Sequence, residues 1–136
     1  MCSDREFIEL FEARKWPMER WHHSDHIRLA YLYQIEHGYE EAMERLREGI
    51  KAHNDAHGVV DSPSSGYHET MTCAWATLVK MMVDEYGQSE NAAVFIDAHP
   101  ELSQKKTLRL FYSKDLFMSE RAKYEFLDPD LGRFGV

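Results

Sequence analysis

The residues with most chemistry to offer lie in Trp21-His22-His23-Ser24-Asp25-His26-Ile27, where three imidazoles and a carboxylate fall within five positions. Neutral imidazole is the commonest biological ligand for zinc, copper and iron. His22 and His26 are four residues apart and His23 and His26 three apart, so either pair would aim two nitrogens at one ion on a helix. Two ligands do not close a site. A second cluster, Tyr67-His68-Glu69-Thr70-Met71-Thr72, supplies another imidazole and another carboxylate. His68 would complete a three-histidine set, with Glu69 as a fourth ligand or as the base beside a metal-bound water. On a helix His68 and Thr72 share a face, and Glu69 lies about 100° round from His68.

A plainer reading accompanies each cluster. Histidines at helical spacing are more often surface groups or hydrogen-bonded core residues than ligands, and a histidine at a helix start can simply cap it. The second cluster is not H-E-x-x-H, because Thr72 stands where the second histidine would be, so a zinc-protease mechanism does not follow. His37, His53, His57 and His99 fall at expected helix C-termini, where imidazolium complements the dipole, and read as structural. Cys73 lies in an apolar helix and reads as a small buried hydrophobe, while Cys2 sits near the terminus. Ser62, Ser64 and Ser65 lack the strand–turn–helix elbow of a serine nucleophile, and no phosphate-binding glycine pattern is present. The seven methionines are scattered at core-like spacings. Lys105, Lys106 and Arg109 form one small basic face, read as solvated.

The elements that must position these side chains are helical almost throughout. Ser3 and Glu6 form a capping-box pair ahead of Phe7, Leu10 and Phe11, and Trp16-Pro17 breaks that run. Ser24 is a good N-cap for a second helix, with Asp25 in its first turn, Ile27, Ala30, Tyr31 and Ile35 on one stripe, and Gly38 as its stop. A third helix is expected from about Tyr39 to His57, burying Ala42, Met43, Leu46 and Ile50. Turn residues from Val59 to Gly66 predict a loop. A long helix from about His68 to Tyr86 carries Met71, Trp75, Leu78, Val79 and Met82 at the spacing of a central core helix. A shorter one starts at Ser89-Glu90-Asn91 and closes at His99-Pro100, and Ser103 can cap another. The tail is less regular. The expectation is an all-α, bundle-like single domain over 1–136, with about five to seven helices and both histidine clusters at helix N-termini.

Composition bounds the function. With 136 residues the chain suits one domain, and 16 basic against 24 acidic residues give a net charge of −8. That balance argues against binding to phosphate backbones, which needs clustered lysine and arginine. No apolar stretch approaches the ~18–20 residues of a membrane span, and the first residues lack the pattern of a secretory leader. Two cysteines make no disulfide framework, so a reducing cytoplasm is the simplest setting.

In its motifs the chain resembles a group of small bacterial helical proteins of no settled function. Members carry an aromatic-x-H-x-x-H-hydrophobic opening to one helix and Y-H-E-T-x-T at the start of a later one. Here these are Trp21 to Ile27 and Tyr67 to Thr72, and Phe126-Leu127-Asp128-Pro129-Asp130-Leu131 is similar to the group's ending. The resemblance supplies no activity. It does imply His23 and His26, rather than His22, as the paired histidines, and Trp21 replaces a phenylalanine. The leading expectation is a small cytoplasmic metalloenzyme. His23, His26 and His68 would bind one transition metal ion (zinc, iron, manganese or copper), Glu69 would be catalytic, and Trp21, Tyr67, Thr72 and Trp75 would line a pocket for a small-molecule substrate. Hydrolysis, lyase chemistry and oxidation all stay open. The rivals are a non-enzymatic metal- or small-ligand-binding helical module and a dimerising subunit of a larger assembly, with no nucleic acid or membrane partner and a homodimer left open.

Overall fold

A computed structural model describes residues 2–134; Met1, Gly135 and Val136, which the single-domain expectation includes, lie outside it. The first helix, α1 (Asp4–Glu12), begins with the expected reciprocal cap. Ser3 Oγ accepts the Glu6 N–H at 3.1 Å, and Glu6 Oε1 accepts the Ser3 N–H at 3.5 Å. Phe7 and Phe11 bury its inner face. Arg14 then takes a left-handed conformation with φ 63°, and the chain drops Trp16 into the core before the 3₁₀ turn Met18–Arg20.

Two long helices follow, α2 (His23–His37) and α3 (Tyr39–Ala56), joined at Gly38 alone. That one-residue reversal needs φ 80°, which glycine adopts without steric cost. The start of α2 lies upstream of the expected Ser24 cap. His22 is the cap residue, because the Asp25 carboxylate reaches back to accept the His22 N–H at 3.0 Å. The helix α4 (Glu69–Tyr86) follows the loop and is capped by His68, and α5 (Ala92–Ala98) is capped by Asn91. Ser103 caps no helix. It ends the 3₁₀ turn Pro100–Ser103, and a second 3₁₀ stretch, Lys105–Leu110, follows. Short segments broken by proline rarely supply enough consecutive turns for an α-helix. Two short helices, α6 (Lys114–Phe117) and α7 (Glu120–Tyr124), give the tail more order than its sequence suggests.

The fold is all-α: among the described residues there is no strand, only an isolated bridge between Ser62 and Ser65. No helix among them is long and apolar enough to cross a membrane. The centre is α2, packed against α3, α4 and α5. Its run Leu29-Ala30-Tyr31-Leu32-Tyr33 is buried residue after residue, so it is enclosed on several sides rather than along one stripe. The expected core helix α4 shares this role through Trp75, Leu78 and Val79, whereas Met71 is 38% exposed. Gln34 Nε2 donates to the Ala76 carbonyl at 2.9 Å and ties the two helices together. Thr70, fully buried, donates to the Glu125 carbonyl at 2.8 Å and accepts the Leu127 N–H at 3.1 Å, which pins the C-terminal segment across the start of α4.

Candidate functional site: a histidine-lined cavity

The first turns of α2 and α4 open onto one cavity of about 830 Å³. This lies within the range of small-molecule sites. From α2 come His23, His26 and Ala30, and from the turn before it Met18, Trp21 and His22. From α4 and its approach come Tyr67, His68, Met71, Thr72 and Trp75. Leu46, Ile50 and Asn54 of α3 enclose a further side, and the loop from Val59 to Gly66 lies alongside. Ser103, Lys105 and Phe117 complete the wall. Seven of the eight residues expected to form the site therefore share this cavity; the exception is Glu69.

The imidazoles differ in what their nitrogens do. His23 Nε2 lies 2.8 Å from the Leu102 carbonyl, which can only accept, so Nε2 carries the proton and Nδ1 keeps a lone pair. The His23 ring also packs on Trp75 with centroids 4.5 Å apart. Neither ring nitrogen of His26 has a protein hydrogen-bond partner among the described residues. Its ring stacks on Trp21 at 4.1 Å, and Trp21 in turn stacks on Phe11 at 5.2 Å. Burial above all, then the charges possible at His23, Lys105 and His53, push the His26 pKa down to about 4. Burial likewise lowers the pKa of His23, against the opposing hydrogen bond to Leu102. Both shifts favour the uncharged ring.

His68 is placed at the cavity but is committed elsewhere. Its Nδ1 accepts the Met71 N–H at 2.9 Å, its Nε2 donates to the Phe117 carbonyl at 3.1 Å, and its ring stacks on Phe117. It caps α4, the plainer of its two sequence readings, and no lone pair remains for a ligand. The donor set therefore does not fit a three-histidine metal centre in this conformation. Among the described residues, no three histidine, cysteine, aspartate or glutamate side chains come together as a group that could hold a metal ion.

Glu69 points into a different cavity, of about 620 Å³. Arg47 Nε donates to its two oxygens at 3.1 and 2.8 Å, and the Tyr67 hydroxyl donates at 2.6 Å. The Cys73 thiol donates to Oε2 at 3.4 Å. Burial raises the Glu69 pKa, but the hydrogen bonds from Tyr67 and Arg47 outweigh it and hold the carboxyl below its usual range. A carboxylate so fully donated to is a poor proton acceptor. Cys73, buried as expected, has its thiol pushed up to about 11 by that burial and by the neighbouring carboxylate.

No family model, curated protein or solved structure matches the chain. The structure adds to the cavity residues that local sequence reading did not select. Lys105, read as part of a solvated face, lines it, as do Ser103 and Phe117. They arrive from segments some 80 to 90 positions beyond α2's first turn, and no local period announces such a contact.

Proposed function

We propose that the chain is a small-ligand-binding module whose ligand occupies the histidine-lined cavity. The observation that carries this reading is His26, an imidazole neutral at physiological pH with no hydrogen-bond partner on either nitrogen among the described residues, in the wall of a roomy, mostly apolar pocket. Such a group accepts a hydrogen bond from a ligand, or donates one, without first losing a bond to the protein. The Trp21 stack holds its ring in place and Leu102 fixes the tautomer of neighbouring His23, so binding orders little that is not already ordered. The reading includes a cytoplasmic setting, supported by the two free cysteines, and membership of the small bacterial helical group, supported by the Trp21–Ile27 and Tyr67–Thr72 motifs.

The metalloenzyme is the second reading, favoured by the unused nitrogens of His23 and His26. It requires His68 to give up the Met71 N–H and turn, or a ligand from elsewhere. One experiment separates the two. Imidazole resonances are followed in the ¹³C,¹⁵N-labelled chain during titration with a panel of small aromatic and aliphatic compounds, and separately with zinc. Shifts at His26 and His23 with organic compounds, and weak or no zinc uptake, support the binding module. Stoichiometric zinc uptake that His23→Ala, His26→Ala and His68→Ala each abolish would replace it with the metal centre.

A further inference from the structure

The chain carries 24 acidic residues among 136 and a net charge of −8, yet among the described residues no aspartate or glutamate lines the histidine cavity. Three acids close to it in the chain are engaged elsewhere. Asp61 is paired with Lys123 at 2.6 Å, Glu69 with Arg47, and both line the smaller cavity instead. Asp25 is occupied with the His22 N–H. Two lysines line the histidine cavity, and they are not equivalent. Lys123 is 4% exposed and spent on Asp61 and on the Tyr67 carbonyl at 2.8 Å. Lys105 is exposed and has no ion-pair or hydrogen-bond partner among the described residues. It lines the same cavity as His23 and His26, and its charge opposes protonation of both.

Resting on the small-ligand reading above, we infer that the ligand is an apolar monocarboxylate, its carboxylate met by Lys105 and its body lying against Trp75, Ile50 and Phe117. The sign follows from the wall. A cation entering this pocket would leave water for a surface with no counter-charge, which is costly, whereas an anion meets an unpaired ammonium. The single charge follows from the histidines. With protonation of His23 and His26 opposed, Lys105 is the one lining lysine without a partner among the described residues, and a phosphate dianion would be left half compensated. The apolar body follows from the lining of aromatic and aliphatic side chains, which a fully polar anion would not use. His26, stacked on Trp21, offers the second hydrogen bond, from whichever nitrogen carries its proton.

The test uses the full chain and three compounds of one shape: 2-naphthoate, 2-naphthamide and 2-(aminomethyl)naphthalene. Affinities are read by calorimetry, and the site by the His23 and His26 imidazole resonances. The carboxylate is expected to bind roughly tenfold more tightly than the amide, and the amine weakest. Lys105→Met, a change at an exposed position, should bring carboxylate and amide to within about twofold, and raising the salt should do part of the same. An amide or amine that binds as well as the carboxylate while moving the same resonances overturns the inference and leaves the ligand pocket standing. So does a carboxylate preference that survives Lys105→Met. Failure of all three compounds to move those resonances overturns both the inference and the pocket reading on which it rests.

Discussion

Protonating His26 would place a charge between the Trp21 stack and the cavity, beside His23, Lys105 and His53. Burial is the largest cause, and together with those neighbours it lowers the pKa from 6.5 to about 4. The sign follows directly. The unfolded chain takes up its proton near pH 6.5 while the folded chain resists until about 4, so the stability associated with neutral His26 is complete above 6.5 and is lost as the pH falls towards 4. The full depression is worth about 3 kcal/mol at ~1.4 kcal/mol per unit, and water in the cavity brings the part reached by pH 4.5 nearer about 2 kcal/mol. His26→Phe keeps an aromatic ring on Trp21 and removes the titration. Urea unfolding of parent and variant is measured at pH 7.5 and 4.5; carboxylates titrate in both proteins and cancel in the difference. The parent is expected to lose about 2 kcal/mol more than the variant over that interval. Parallel losses, or an imidazole titration of His26 with its midpoint near 6.5, would refute the reasoning.

Three further outcomes concern the wall between the cavities. Glu69→Gln should leave the affinity of a histidine-cavity ligand unchanged, because Glu69 faces Arg47; Arg47→Leu should cost about 1–3 kcal/mol by stranding a carboxylate that is 15% exposed, read by chemical denaturation. Lys123→Met should cost a similar ~1–3 kcal/mol, because it bares the Tyr67 carbonyl and frees Asp61. Its mark would be faster amide exchange through the loop at Ser65, Gly66 and Tyr67, while slow exchange there would count against Lys123 as the loop's anchor.

Much of the frame was legible because its signals are local. The Ser3–Glu6 cap, the Gly38 stop and the burial of Leu46 and Ile50 each follow from a few neighbouring residues, and each is formed. The meeting of the two helix mouths could be argued from the histidines they carry, and His23, His26 and His68 do line one cavity. What local signals do not carry is which nitrogen each ring spends on the backbone. Whether His68 caps or ligates turns on the Met71 N–H and on the Phe117 carbonyl, 49 positions away. Glu69 was expected beside the histidines because it is adjacent to His68 in the chain. Adjacent residues on a helix point about 100° apart, and Arg47, brought in by α3, decided which way that carboxylate went. The start of α2 shows the same limit on a smaller scale: Ser24 is the better cap by type, but the reach of Asp25 to His22 set the boundary.

The loop and the base of α4 then determine the field inside the large cavity. Gly66 adopts φ 91°, and a Cβ there would stand 2.5 Å from Asp61 Oδ1. Only a glycine lets the chain fold this closely over Asp61 and still present the Tyr67 carbonyl to Lys123. With Lys123 fixed between those two oxygens, Asp61 is neutralised on the smaller cavity's side. Tyr67, which lines both cavities, sends its hydroxyl to Glu69 and leaves its ring as part of the partition. Asp61 and Glu69 are thus paired with cations behind the wall, and among the described residues no acid lines the face towards His23 and His26. Substituting Gly66 by alanine should disturb that partition at both ends at once. It forces a strained φ and displaces Asp61 from Lys123, so the variant should lose stability and, by exposing an unpaired carboxylate near the pocket, also weaken the binding of an anion relative to its amide. A Gly66→Ala protein that loses stability but keeps the full carboxylate preference would show that the charge separation does not depend on this turn.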